Sequence, residues 1–347
     1  MTLESPKRVS CVVAIVLLFA FAGPLAARDV SGLASATVSI KDRSPAERAR
    51  ASAVALSQVL IKLTGNRRTP GDPRAAALLG RASSLLLQYA YGAAPDGSLT
   101  LNASFDQQVL SRELEARGIG TWSKQRPDTV VFLVVDDAQG RQLISAMEPG
   151  TLGAAVQHRA ELRALPVLLP RMDSEEATQL NAAQDSQALS DIAVTLAAPY
   201  GAAAVLVGHL RETSAQRWEV RWRLDVDGET LEWQQAGALG EALVDEGVDA
   251  LGDALVKRYA QPATLASSED VSLAVQGVNS AADYGRLANY LNSLDTISKL
   301  FLRSVDNQQV SYEITARGGR AALAQSIAFG RVLAPVPSRS DTYELLP

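Results

Sequence analysis

Few residues in this 347-residue chain are equipped for chemistry. There are two histidines, His158 in "VQHRAE" and His209 in "VGHL", and one cysteine, Cys11. A zinc site gathers three or four His, Cys, Asp or Glu ligands, and neither an HExxH pattern nor a comparable cluster surrounds either histidine. Cys11 lies inside an N-terminal apolar run, so no thiol nucleophile, thiolate metal site or disulfide is expected of the mature chain. The members of a Ser-His-Asp triad need not be sequence neighbours, and no G-x-S-x-G elbow marks one. Asp173, Glu175 and Glu176 in "MDSEEA" are carboxylates that read better as charges favoured at a helix N-terminus. Neither G-x-x-x-x-G-K-[ST] nor G-x-G-x-x-G occurs, so there is no nucleotide cradle. No catalytic, cofactor-binding or metal-binding residue, and no cofactor, is assigned.

Two groups remain as candidate partner or ligand surfaces. Arg67 and Arg68 in "LTGNRR" could meet an anion, but a loop that follows a helix C-terminus presents carbonyls rather than free N–H groups, which favours solvated charge. Trp218, Trp222 and Trp233 can share one face of a hairpin. Such aromatic clusters most often pack a sheet; exposed, they would stack on a sugar or anchor a partner.

The elements that position these groups follow from patterning. Ser44, Pro45 and Glu47 form a capping-box start. Ala49, Ala53, Leu56, Leu60 and Leu63 then mark one apolar stripe, Glu47, Gln58 and Lys62 point away from it, and Gly65 closes the helix. "ATVSI" precedes it as a strand. "LTLNASF" (99–105) and an Asp106-capped helix follow. "TVVFLVV" (129–135) is a strand buried on both faces; "LPVLLP" (165–170) and "GAAAVLVGHL" (201–210) are two more. "RWEVRWRLDVDGETLEW" is a hairpin turned at Asp227-Gly228, and a helix over about 241–259 closes the unit. After a linker, the order strand, helix, hairpin, helix repeats the outline of the first module. The expected fold is α/β (α+β): a central mixed-sheet domain flanked by two small β-α-β-β-α modules. The boundaries are 1–27 signal peptide, 28–122 N-terminal module, 123–260 central domain, 261–270 linker, 271–334 C-terminal module and 335–347 disordered tail.

Lys7-Arg8, an apolar run of about fourteen residues and the small residues before Arg28 have the three parts of a cleavable secretory signal, with cleavage near Ala27/Arg28. The run falls short of the roughly 20 residues of a spanning helix, so no stable membrane span is expected after cleavage, and the location is periplasmic. Net charge is −5, unlike a basic nucleic-acid binder. Charge is unevenly spread: residues 41–81 carry nine basic and three acidic side chains, and residues 173–253 four and sixteen. Such a field could orient a partner.

Taken together, Arg48, Ala51, Ala55, Leu56, Val59, Leu60, "KLTG" (62–65), Phe105-Asp106, Leu114, Gly118, Trp122, Arg126-Pro127, "LPVLLPRMD" (165–173), "YGAAAVLVG" (200–208) and the tryptophan set resemble bacterial exported proteins of the domain of unknown function 2066 family. That family usually has glycine where this chain has Ala164. The resemblance implies a proteobacterial cell envelope and brings no activity or catalytic residue. More loosely, the middle region resembles periplasmic α/β domains of envelope assembly proteins, such as the curli-secretion lipoprotein and the N-terminal part of the Tol periplasmic protein.

The resulting expectation is an exported envelope protein that acts by binding, as a non-enzymatic adaptor or assembly factor with an envelope protein partner. One alternative is an envelope hydrolase whose carboxylate- or His-based site is scattered in sequence; a pocket with two convergent carboxylates or a His–acid pair would favour it. The other is a small-ligand or glycan sensor built on the tryptophans.

Overall fold

The computed structural model describes residues 27–214, 216–260, 268–294, 296–306, 309–330, 332–337, 339 and 341–346. The signal segment up to residue 26 and the linker residues 261–267 lie outside the described residues.

The N-terminal module runs β1 (Ala27–Asp29), β2 (Ser35–Ser39), α1 (Pro45–Thr64), α2 (Pro73–Gly80), α3 (Ala82–Leu85), β3 (Leu86–Ala93), β4 (Leu99–Phe105) and α4 (Gln107–Glu115). Its antiparallel sheet has the order β2-β4-β3. Ser44 caps α1 by accepting from the Glu47 N–H. Only half of the expected capping box forms, because the Glu47 carboxylate accepts from Lys41 N–H instead. The buried side of α1 is wider than a single stripe. It includes Ala51, Ala55, Leu56, Val59, Leu60 and Leu63, whereas Ala49 is exposed. Lys62, expected to point outward, is buried, and its Nζ donates to Ser35 O at 3.1 Å.

β5 (Gln125–Pro127) pairs with β1 and leads into the central domain. Its elements are β6 (Thr129–Asp137), β7 (Gly140–Leu143), α5 (Gly150–Arg163), β8 (Val167–Leu168), α6 (Ser174–Ala182), α7 (Ser186–Leu196), β9 (Ala204–Ser214), β10 (Arg217–Val226), β11 (Glu229–Gly237) and α8 (Gly240–Tyr259). The strand order is β11-β10-β9-β6-β7, with β8 also on β6. β6 is parallel to β8 and β9, and the other pairs are antiparallel. β6 is apolar from Val130 to Val135 because both its faces are covered there. Val131, Leu133 and Val135 join the core under α5 and α8, and Val130, Phe132 and Val134 join the core under α6 and α7. The β7 hairpin and the division of the second crossover into α6 and α7 add to the order read from sequence. Ala164, where the resembled family has glycine, takes the left-handed cap of α5 at φ 52°.

The C-terminal module runs β12 (Ser268–Gln276), α9 (Ala281–Ser293), β13 (Ile297–Asp306), β14 (Gln309–Arg317), α10 (Gly319–Phe329), β15 (Leu333–Pro335) and β16 (Thr342–Leu345). Its sheet order is β13-β14-β12-β16-β15. The subset β12-β14-β13 repeats the β2-β4-β3 arrangement, so the two flanking modules share one topology. Two boundaries need correction. β12 begins inside the expected linker, and the expected disordered tail contributes β16 and the end of β15, with Thr342–Glu344 pairing parallel to Ala274–Gln276. Leu345 is buried, and this apolar anchor holds the segment on the sheet.

Candidate functional site

The central sheet gathers three polar residues that lie far apart in sequence. Residues of one parity on β6 and β9 face α6 and α7, which places Asp136 and His209 on one face of adjacent strands. The N-terminus of α7 lands over them and delivers Ser186, whose neighbour Asp185 caps the helix by accepting from Ala188 N–H. Ser186 Oγ lies 2.7 Å from His209 Nδ1, and His209 Nε2 lies 2.7 Å from Asp136 Oδ2. A carboxylate only accepts, so Nε2 carries the ring proton and donates to Asp136. Nδ1 is left to accept from the Ser186 hydroxyl.

The electrostatics keep this assignment. His209 is 4% exposed, and burial pushes its pKa below 6.5 against the opposing pull of Asp136. The ring is therefore neutral at pH 7. Arg141, directly across from Asp136 on β7, forks onto both its oxygens at 2.8 and 2.9 Å. That pair holds the Asp136 carboxyl at about 2. Arg141 also donates to Leu180 O and Ala183 O, so the charge that fixes Asp136 fixes the end of α6 as well.

Two hollows open beside this relay. One, of about 280 Å³, is lined by Ser186, Gln187, Ser190, Arg221 and Gln234 among others. The other, of about 330 Å³, is lined by His209, Arg211, Arg221 and Gln234 among others. They meet at Arg221 and Gln234. Arg221 lies opposite His209 in the β9–β10 register, is exposed, and makes no ion pair among the described residues. Sequence reasoning weighed His209 alone and missed Asp136 and Ser186. The available signal was a histidine in an otherwise apolar strand, which must find polar partners when buried.

The basic candidates lie elsewhere. Arg67 reaches across from the end of α1 to Asp249 at 3.3 Å and Asp253 at 3.2 Å on α8. Arg163 on α5 binds the same two carboxylates at 2.9 and 2.7 Å and donates to Gly65 O, and Arg159 also pairs with Asp249. Part of the charge asymmetry in the sequence is thus spent joining the N-terminal module to the central domain. Arg68 is exposed and has no ion pair among the described residues.

The tryptophans sit on the opposite sheet face, towards α8. Trp222 is 2% exposed, faces Trp233 with ring centres 6.2 Å apart, and packs against Gly208 and Gly247. Trp218 and Trp233 are half-buried against the same core. Trp222 presents no free ring face to a sugar. His158 is exposed on α5.

Two sheet edges complete the surface. β13 is the outer strand of its sheet, and Phe301, Leu302 and Val305 are 57%, 48% and 63% exposed. Successive residues of a strand face opposite sides, so the edge exposes apolar side chains on both, interspersed with the charged Lys299, Arg303 and Asp306. β3, its counterpart in the N-terminal module, exposes Leu87 and Tyr89. Among the described residues no helix is long and apolar enough to cross a membrane, and no group of three or more His, Cys, Asp or Glu could hold a metal ion.

Among the described residues the chain is a mixed α/β protein. Residues 27–123 are similar to a family described as "Domain of unknown function (DUF8605)". This corrects the resemblance drawn from the sequence, because the matching family is not domain of unknown function 2066. No curated protein matches the chain. Among solved structures, it is similar to a lipoprotein from Neisseria meningitidis, with 15% identity over 37% of this chain and 95% of that one and a TM-score of 0.23. It is also similar to the competence damage-inducible protein A from Klebsiella pneumoniae (19% identity, 43% and 91% covered, TM-score 0.23). A competence-damaged (CinA) superfamily protein from Enterobacter cloacae gives 15% identity, 44% and 89% covered, and a TM-score of 0.25. At these scores nothing about activity transfers to this chain.

Proposed function

We propose that the chain is a periplasmic cell-envelope protein that works by binding, as an adaptor or assembly factor. The observation that carries this reading is the β13 edge: a ten-residue outer strand with Phe301, Leu302 and Val305 exposed on it. Natural sheets blunt their edges with charge, proline or cover. β13 carries charge at Lys299, Arg303 and Asp306, yet it keeps Phe301, Leu302 and Val305 exposed among them on an unpaired edge, which suits an extended partner segment added as a further strand, with main-chain hydrogen bonds for affinity and alternate side chains for specificity. The export pattern around Lys7-Arg8 and Ala27 supports the compartment.

The test has two parts. Envelope fractionation and N-terminal sequencing in the native host should place mature protein, beginning near Arg28, in the soluble periplasmic fraction. A photo-crosslinker at position 301 should then join the protein to a partner identified by mass, and Phe301→Asp should remove that adduct at an unchanged melting temperature. Membrane-held full-length protein would overturn the compartment. An adduct that survives Phe301→Asp would overturn the docking strand.

A further inference from the structure

We propose that Ser186 is an acyl-accepting nucleophile activated by His209 and oriented through Asp136, and that the adjoining hollows take esters whose acyl chain carries a negative charge. This goes beyond binding and rests on a separate face of the protein.

Three observations converge. Both hydrogen bonds of the relay, Ser186 Oγ to Nδ1 and Nε2 to Asp136, are 2.7 Å long, within the reach required of a nucleophile–base–orienter set. The serine is half-buried at the rim of one hollow and the imidazole lines the other, so the nucleophile is reachable while its base is shielded. Arg221 makes no ion pair among the described residues where those hollows meet, whereas Glu219 lines one of them and Glu232 the other, so the anionic end of an acyl chain is assigned to Arg221 itself rather than to a uniformly basic lining. Ser186 meets Nδ1 and the carboxylate meets Nε2. Base catalysis needs one nitrogen free of its proton and the other held by an acceptor, and either nitrogen can serve in either role. The amide of Gln187, next in the chain to Ser186, lies in the first turn of α7, where N–H groups have no intrahelical acceptor.

The chemistry balances without a further reactant except water. Ser186 Oγ bonds to the ester carbonyl carbon as its proton passes to Nδ1. The carbon–alkoxide bond then breaks, and the alcohol leaves with the proton from Nδ1. Water attacks the acyl-serine, gives one proton to Nδ1 and releases the carboxylic acid, and that proton returns to Ser186 Oγ. Asp136 holds Nε2–H throughout and stabilises the imidazolium that forms between steps.

The purified exported chain should be treated with a fluorophosphonate probe and mapped by peptide mass. The expected result is one adduct, on Ser186, absent from Ser186→Ala, retained in Ser190→Ala, and formed about 100-fold more slowly by His209→Gln. If His209→Gln does not fold, Asp136→Asn should show the same slowing. An unlabelled Ser186 in the wild-type protein, or labelling at the wild-type rate by the folded His209 or Asp136 variant, would overturn the nucleophile. For the substrate class, the p-nitrophenyl monoester of succinate should react severalfold faster than p-nitrophenyl acetate, and Arg221→Ala should erase that preference. Equal rates for the two esters in the wild type would overturn the role of Arg221.

Discussion

The guanidinium carbon of Arg126 lies 4.3 Å from the ring centre of Trp122. The arginine is fully buried, and its partners are carbonyls: Ser123 O, Lys62 O in the last turn of α1, and Arg163 O and Ala164 O at the end of α5. Two helices from different modules point their negative ends at one cation. Burial pushes the pKa of Arg126 down to about 9, so the charge persists at neutral pH.

Removing this clamp should be costly. Arg126→Ala leaves several buried acceptors unpaired, at about 1–3 kcal/mol each, and strips the Trp122 ring of its cover. Arg126→Lys keeps the charge but loses the planar fork, and should destabilise less than alanine while falling short of the wild type. Equilibrium unfolding in urea measures both.

The neighbouring ion cluster should respond in a graded way. Asp249 is buried and faces Arg163, which is equally buried. Asp249→Ala leaves Arg163 with Asp253 as its remaining carboxylate and should cost about 1.5–3 kcal/mol. Arg67→Ala removes a side chain that is 44% exposed and should cost about 1 kcal/mol or less. Equal losses from the two in denaturant melts would contradict the cluster.

Glycine substitutions give a test in which the sign reverses. A Cβ on Gly247 in α8 would overlap the Trp222 indole, whereas one on Gly285 in α9 meets nothing within 4 Å. Helix propensity alone favours alanine over glycine by about 1 kcal/mol. Gly285→Ala should therefore stabilise, while Gly247→Ala should destabilise by about 1–3 kcal/mol through overpacking. Trp222→Phe should relieve part of the Gly247→Ala defect in the double variant.

The relay predicts a pH response. The pKa of His209 in the folded protein lies below its unfolded value, so neutral His209 contributes stability that is present above about pH 6.5 and lost as the pH falls through the folded value. Asp136 faces the ring and stays charged across that window, with Arg141 beside it and Arg211 nearby. Melting temperature should fall as the pH drops below about 6.5, and His209→Gln should flatten that part of the curve.

Local periodicity made much of the fold legible. The alternation from Trp218 to Trp233, with Asp227-Gly228 between, marks the hairpin and its shared tryptophan face, and the structure pairs Trp222 with Trp233 on it. The unbroken apolar run of β6 announced a strand covered on both faces. What stayed hidden depends on distant segments. The stripe on α1 shows one packed side, but α5 approaches a second, and Lys62 lines the hollow between them with Gln157 and Glu161. Lys62→Ala should thus exceed the ~0.5 kcal/mol of an exposed site, Lys62→Met should cost less because it keeps the packed stem, and Leu60→Ala should cost about 2–5 kcal/mol. The relay was hidden for the same reason: Asp136, Ser186 and His209 meet only because β6 and β9 are neighbours in the sheet.

The strand order of the C-terminal module gives its sheet a direction of growth. β16 runs along β12 and is tethered to it through the chain, so it competes for that edge at an effective concentration that a free segment would struggle to match. Beyond it lies β15, three residues long and ending in Pro335, which has no amide hydrogen to offer a newcomer. The chain has plugged this side with its own residues 333–345, and a sheet extended across two molecules would elongate from the β13 side.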